Sequence, residues 1–286
     1  MSSTVLPIDV AAAAPARTVH TGAAATAAKI AWYEVSNVAR SRWLLAYGLF
    51  FLVGTDALLR FGGGEGRALL SLVSVVLFVI PLVALVFGTT YLYDAREFTE
   101  LLLAQPVGRG RLFAGLFAGL ALPLSAAYVV GIMLPFAWHG LGGRAELATL
   151  LVLAASGAAL TIAFVGLAFL IALRSTDKVR GLGMAIGVWL ALALLYDGVV
   201  LVGVALFADY PIERPLLGLM LANPIDLARV LLLLRFDAGA LQGYTGAVFT
   251  RFFGSGGGAL LAAAALALWA TVPAMLGLRA FRRRDF

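Results

Sequence analysis

Cysteine is absent from all 286 residues, which excludes disulfides, thiol nucleophiles and thiolate metal sites. Histidine is nearly absent too: His20 and His139 lie far apart, and a metal centre needs more convergent ligands than they supply. Charge is sparse, 13% of residues against roughly one quarter in a soluble domain. The charge that exists leans basic, +6 net, with 19 Arg against 2 Lys. No basic stripe interleaved with exposed aromatics accompanies it, so nucleic acid is not the expected partner, and membrane topology accounts for the arginines better.

Catalytic signatures are missing as well. "GGGEGRALL" (Gly62–Leu70) is glycine-rich, but it lacks a following Lys-Ser/Thr and a preceding strand, so it is no phosphate loop. "GSGGG" (Gly254–Gly258) reads as a hinge. No nucleophile elbow, HExxH or acidic pair at catalytic spacing occurs. Soft-ligand pairs such as M-x-x-M are absent, which argues against bare copper passing along the helices. The expectation is a chain that is not an enzyme and binds no cofactor or metal itself.

What is present is apolar residue, 62% of the chain, with a mean hydropathy of +0.99. Residues 1–28 are Ala-rich without period and read as a disordered tail; no basic region or continuous apolar run marks a cleaved signal. Crossing ~30 Å of hydrocarbon takes roughly 20 apolar residues. Six stretches qualify: Trp43–Leu59, Ala68–Tyr93, Leu112–Phe136, Leu147–Leu173, Leu182–Phe207 and Gly258–Phe281. Placing both termini in the cytoplasm puts 14 of the 21 Lys and Arg inside, as the positive-inside rule requires. The predicted fold class is therefore an all-α membrane protein with six transmembrane helices, both termini cytoplasmic.

Three amphipathic pieces lie outside the spans. Ala27–Trp43 places Trp32, Val35, Val38 and Trp43 on one face and Lys29, Tyr33, Asn37 and Arg40 on the other, so it reads as an elbow helix in the membrane surface. A plain cytoplasmic extension of the first span is the alternative. "DAREFTELLLAQPVGRGRL" (Asp94–Leu112) carries six of the 36 formal charges between two oily stretches. Ala95, Phe98, Leu101 and Leu102 form its expected apolar stripe, with Arg96, Glu97, Thr99 and Glu100 opposite. Leu103 is stranded on the charged face, and Pro106 ends the helix. "NPIDLARVLLLL" (Asn223–Leu234), within the outer segment of about 208–257, starts on a good cap. It repeats Leu227, Val230, Leu231 and Leu234 at i, i+3, i+4, i+7, the pattern of an interfacial helix.

Two acids lie inside spans, where an Asp costs about 2.5–3.5 kcal/mol at the helix centre. Asp56 has Arg60 one turn on, and a local ion pair at the outer interface explains it. Asp197 has no charged neighbour within a turn; it faces a cavity or a dimer seam, or it hydrogen-bonds another helix. His139 reads as an interfacial histidine beside Trp138.

An amphipathic elbow ending in "ARSRWLL", six spans and "REFTELLLAQPVGRGRLFAGLFAG" together resemble the permease subunits of ABC-2-type ABC transporters over residues 29–286. The last of these is similar to the family's coupling pattern E-x-G-T-L-x-x-L-L-x-x-P-x-x-R, with Phe98-Thr99 where Gly-Thr is common. "GLGMAIGVWLALALLYDGVVL", "LANPIDLARVLLLL" and the terminal "FRRRDF" are similar to the branch serving nitrous oxide reductase maturation. The resemblance implies a homodimer in the bacterial inner membrane with two cytoplasmic ATPase subunits, which would bind ATP and Mg. It also implies a periplasmic partner of β-helical fold. It places the ATPase contact at about 94–106, on Arg96, Glu97, Phe98, Glu100, Leu102, Leu103 and Arg109, with Lys178 in the loop Arg174–Gly181 as a second contact. The outer partner would dock on Asn223, Asp226 and Arg229. A secondary transporter working without ATP, which would need several charges on a midplane cavity and an internal repeat, and a structural anchor for a peripheral complex are the rival classes.

Overall fold

A backbone inside a bilayer has no water to bond, so long apolar runs satisfy their own N–H and C=O groups by coiling into helices. The computed structural model follows that rule; it describes residues 32–33, 35–63, 65–103, 108–140, 143–207, 218–234 and 256–283. The tail 1–28, Pro106 and most of the outer segment 208–257 lie outside the described residues. The helices are α1 (Arg42–Phe61), α2 (Glu65–Asp94), α3 (Arg96–Leu103), α4 (Arg109–His139) and α5 (Arg144–Arg174). Then follow α6 (Lys178–Leu190), one wide π segment (Ala191–Leu195), α7 (Tyr196–Leu206), α8 (Pro224–Leu233) and α9 (Gly256–Arg283). No strand occurs among the described residues.

Six helical stretches are long and apolar enough to cross the membrane: α1, α2, α4, α5, the α6–π–α7 rod and α9. All six stretches expected from hydropathy are there. Most ends run one to four residues further, because Arg, Asp and His at the interfaces continue the helices that hydropathy alone would stop; the fifth span instead stops one residue short, at Leu206.

The fourth span, α5, is the spine, packed against α2, α4, α8 and α9. Its Leu153, Leu160, Phe164, Val165, Ala168 and Phe169 are fully buried. Tyr128 of α4, also fully buried, donates its hydroxyl to the Leu153 carbonyl at 2.8 Å. Near the α3 end Phe113 and Phe117 close on Phe169 and on each other, and Phe281 packs on Phe113, with centroids 5.6–6.0 Å apart. α1 leans on α4 where Gly131 lets the backbones meet. A Cβ at that position would stand 2.8 Å from Phe51 Cβ and 2.9 Å from the Gly48 carbonyl oxygen. Small residues at crossings are how helices approach in lipid, where no hydrophobic drive separates protein from solvent.

Before α1, residues 35–39 are helical. Val38 packs on the core, while Trp32 and Trp43 are open to the surroundings. Tyr33, expected on the polar face, stacks on Phe98 of α3 with 6.2 Å between centroids.

Cross-helix bonds show which ends share a side. Arg109 at the start of α4 donates to the Arg282 carbonyl of α9 at 2.9 Å, and Lys178 at the start of α6 reaches Asp94 at the end of α2. At the other side, Asp56 of α1 meets Trp138 and His139 of α4. Of the Lys and Arg among the described residues, eleven lie at the α3 side and four at the opposite side.

Candidate functional site

The fifth span is held by polar contacts at its foot and again around its middle, and these define the site. At its foot, α2 passes into α3 at Ala95, and the junction grips the loop before α6. Lys178 Nζ meets Asp94 Oδ1 at 2.6 Å, and Tyr93 donates its hydroxyl to the Ser175 carbonyl at 3.1 Å. Arg96 donates to the Thr176 carbonyl at 3.3 Å while its guanidinium lies over the Tyr93 ring, 5.4 Å from the centroid. Asp177 caps α6 by accepting from the amides of Val179 and Arg180 at 3.3 and 3.2 Å. Gly181 makes room for Tyr93: a Cβ there would stand 2.5 Å from the phenolic oxygen. An exposed ion pair alone contributes about 0–1 kcal/mol. Several short-range bonds sharing one junction instead fix its geometry.

α3 is rotated from its expected setting. Ala95, Thr99, Leu102 and Leu103 face the bundle, with Thr99 1% exposed. Leu101, expected on the packed stripe, is 70% exposed, and Leu103, expected on the charged face, packs on the core. The correction has a simple cause. Leu101, Leu102 and Leu103 cover a wide arc, so a wheel admits two stripes. The one at 95, 99, 102 and 103, spaced i, i+4, i+7, i+8, brings two leucines onto the neighbouring spans.

The expected ATPase-contact residues therefore divide. Arg96, Arg109 and Lys178 bond within the chain. Leu102 and Leu103 pack inward, and Phe98 stacks on Tyr33. Glu97 and Glu100 stay open, joined by Leu101 and by Val179, which is 78% exposed. Neither Leu101 nor Val179 was singled out by the sequence as an open apolar side chain. Their signal was a large apolar residue between charges, outside any lipid-facing run.

Around the middle of the same span, a second network joins it to α8. Arg229 Nη1 donates to Asp197 Oδ2 of α7 at 2.9 Å and to Asp226 Oδ1 of α8 at 2.9 Å. Asn223 caps α8 by accepting from the Ile225 amide at 3.0 Å. Its amide nitrogen donates to Asp226 Oδ2 and to the Leu192 carbonyl, both at 3.0 Å. Leu192 lies in the π segment, where the widened turn leaves a carbonyl available to an outside donor. Tyr196 donates to the Leu219 carbonyl, and Trp269 of α9 to the Leu221 carbonyl at 3.1 Å. Asp197 thus has its partner on another helix, 32 residues on, where no helical-turn rule could find it.

α8 departs from the expected interfacial helix. Pro224 to Ala228, Val230 and Leu232 are buried among α2, α5 and α9. Asn223 is 0% and Asp226 7% exposed, so both face inward and brace the bundle instead of lining an outward surface; Arg229 is half-buried. Burial pushes the Asp226 carboxyl up to about 6; Arg229 opposes the shift and Asp197 adds to it. Beside Arg229 a cavity of about 360 Å³ opens between Leu77, Phe78, Ala193 and Ile225.

Asp56 pairs with Arg60 at 2.8 Å as expected, and it also gathers His139 Nε2 at 2.8 Å and Trp138 Nε1 at 3.1 Å. This carboxylate ties together the ends of α1 and α4 that lie away from α3. No group of three His, Asp or Glu that could hold a metal occurs among the described residues.

A bundle of six spans with a short charged helix between the second and third is the architecture of a transporter's membrane subunit. The sequence model of the ABC-2 family transporter proteins matches residues 28–286, so the chain belongs to that family, as an ABC-2 permease and a multi-pass inner-membrane protein. Within it, the chain is 33% identical over 275 residues to the "Probable ABC transporter permease protein NosY" of Pseudomonas aeruginosa, covering 89% of this chain and 97% of that one. The protein of the same name from Stutzerimonas stutzeri is 29% identical over 239 residues, 73% of this chain and 81% of its own.

Proposed function

We propose that this chain is the membrane half of an ATP-driven machine whose ATPase is a separate cytoplasmic subunit docking on α3. Glu97, Glu100, Leu101 and Val179 are the contact surface, on the side richer in Lys and Arg, which is the cytoplasmic one. Two copies work together, each with one ATPase. The observation that carries the reading is the fifth span itself. Its foot is gripped by the α2–α3 junction and its middle is tied through Arg229 and Asn223 to α8. The π segment and α7 carry the second tie and run on beyond it. They bury no residue fully and touch the core only through partly buried side chains such as Leu192 and Val200, so this half of the rod is freer to shift than the enclosed α5. Movement of α3 by the ATPase would travel along this rod to α8 and the outer segment, where a periplasmic partner of β-helical fold would receive it.

Similarity to the two NosY permeases supports service to the maturation of the copper site of nitrous oxide reductase, by export of a copper or sulfur species or by mechanical transmission. The lack of Cys and of paired Met favours the last two over bare copper. Reversing both exposed acids, Glu97→Lys with Glu100→Lys, should abolish co-purification with the ATPase. A stoichiometric complex with unchanged coupling to ATP hydrolysis would overturn the reading.

A further inference from the structure

A groove of about 770 Å³ runs between residues 37–41, α1, α2 and α4 at the α3 side of the bundle. Both of its long walls change character in the same direction. Along the first, exposed Arg40 and half-buried Ser41 give way one turn on to buried Leu44. Along α2, Asp94 at the helix end gives way to Thr90 and then to Phe87, whose ring lies 6.4 Å from that of Trp43. Leu124 of α4, 2% exposed, closes the apolar end. A groove that is polar at the interface and apolar toward the midplane has the polarity profile of a phospholipid. Trp43 stands where an interfacial tryptophan is expected.

Charge decides which phospholipid. Asp94 lines the groove, but its carboxylate is neutralised by Lys178 at 2.6 Å. Arg40 enters no ion pair among the described residues. Among the described residues the mouth of the groove therefore carries one positive charge without an acidic partner, above an apolar floor, and a guanidinium binds phosphate oxygens through paired donors. We infer that the groove seats one anionic phospholipid of that leaflet, its headgroup phosphate on Arg40 and an acyl chain along Leu44, Phe87 and Leu124. The inference needs only the membrane setting, and its test contains no ATPase, so its failure and that of the coupling proposal are independent.

The full chain in neutral detergent is titrated with phosphatidylglycerol and with phosphatidylcholine of the same acyl chains, and bound lipid is counted by native mass spectrometry. Phosphatidylglycerol should bind about fivefold tighter, the factor one basic side chain contributes beside an anionic headgroup. Arg40→Gln should reduce phosphatidylglycerol to the phosphatidylcholine level, and Arg42→Gln, an exposed neighbour outside the groove lining, should not. Val86→Trp, filling the wall, should weaken both lipids. Excess glycerol phosphate should fail to displace the lipid. Because a groove-filling variant could misfold, brominated phosphatidylglycerol is also added to wild type and to Trp43→Phe; a quenched component present only in wild type places the acyl chain at Trp43. Equal affinity for the two lipids, equal losses in the Arg40 and Arg42 variants, displacement by glycerol phosphate (a free-phosphate site) or identical quenching in both proteins would overturn the assignment.

Discussion

Arg229 is the residue on which the tie between the fifth span and α8 depends, since one guanidinium nitrogen holds carboxylates from two helices. Removing one partner of a buried ion pair leaves a buried charge unmatched, which costs about 3–5 kcal/mol. Arg229 is itself only half-buried, so Arg229→Met should sit at the lower end of that range, read as a lowered unfolding midpoint in detergent. Adding Asp197→Asn and Asp226→Asn should restore most of the loss, because the stranded charges are then gone. Asp226 also makes stability depend on pH in a definite direction. Its folded value, about 6, lies above the ordinary 3.8, so the folded state holds the proton more tightly. This group's contribution is full below 3.8 and is lost as pH rises through about 6. The unfolding midpoint should therefore fall across that window in wild type, and Asp226→Asn should flatten the fall.

α3 separates two roles that the sequence blends. Leu103→Asp puts a charge into the packed face and should lower the yield of folded chain. Leu101→Ser leaves the fold intact, and it should weaken only the complex with the ATPase, measured as the subunit ratio after affinity purification. At the junction, Gly181→Ala forces a methyl group against the Tyr93 hydroxyl. The expected outcome is an assembled complex whose ATP hydrolysis no longer responds to the permease. Loss of assembly in that variant would place Gly181 in docking instead of transmission. The π segment belongs to the same scale: it frees the Leu192 carbonyl for Asn223, and so couples a local widening of one span to the cap of α8.

For the whole molecule, the uneven burial of the spans points to assembly. α5 is enclosed, whereas the fifth span exposes Leu195, Val199, Leu201 and Leu206 over most of its outer length. Absence of cysteine makes this directly testable, because a single introduced thiol has no competitor. Val199→Cys should give a disulfide-linked pair under mild oxidation if that face meets a second copy. Leu122→Cys, exposed on α4, should stay monomeric. A monomer from both variants would exclude the fifth span as the seam.

Much of this architecture is written in local sequence. Six apolar runs fix the number of spans, because length and hydropathy act on each segment alone. The bias of Arg and Lys fixes which ends belong together, and Asn-Pro with a following Asp fixes where α8 begins. The Asp56–Arg60 pair was legible because its partners are one turn apart. Contacts across the bundle were not. Asp197 meets Arg229, Asp226 and Asn223 turn inward, and α3 buries Thr99 and Leu103 while exposing Leu101. Each of those outcomes depends on how a helix is rotated against neighbours distant in sequence, a choice that periodicity leaves open and packing settles. The sequence by itself determined the spans, which of their ends share a side and the charged helix between them; only the tertiary structure decided which of their polar residues hold the fifth span and which face outward, because side-chain pairing follows the packing of helices and not their order along the chain.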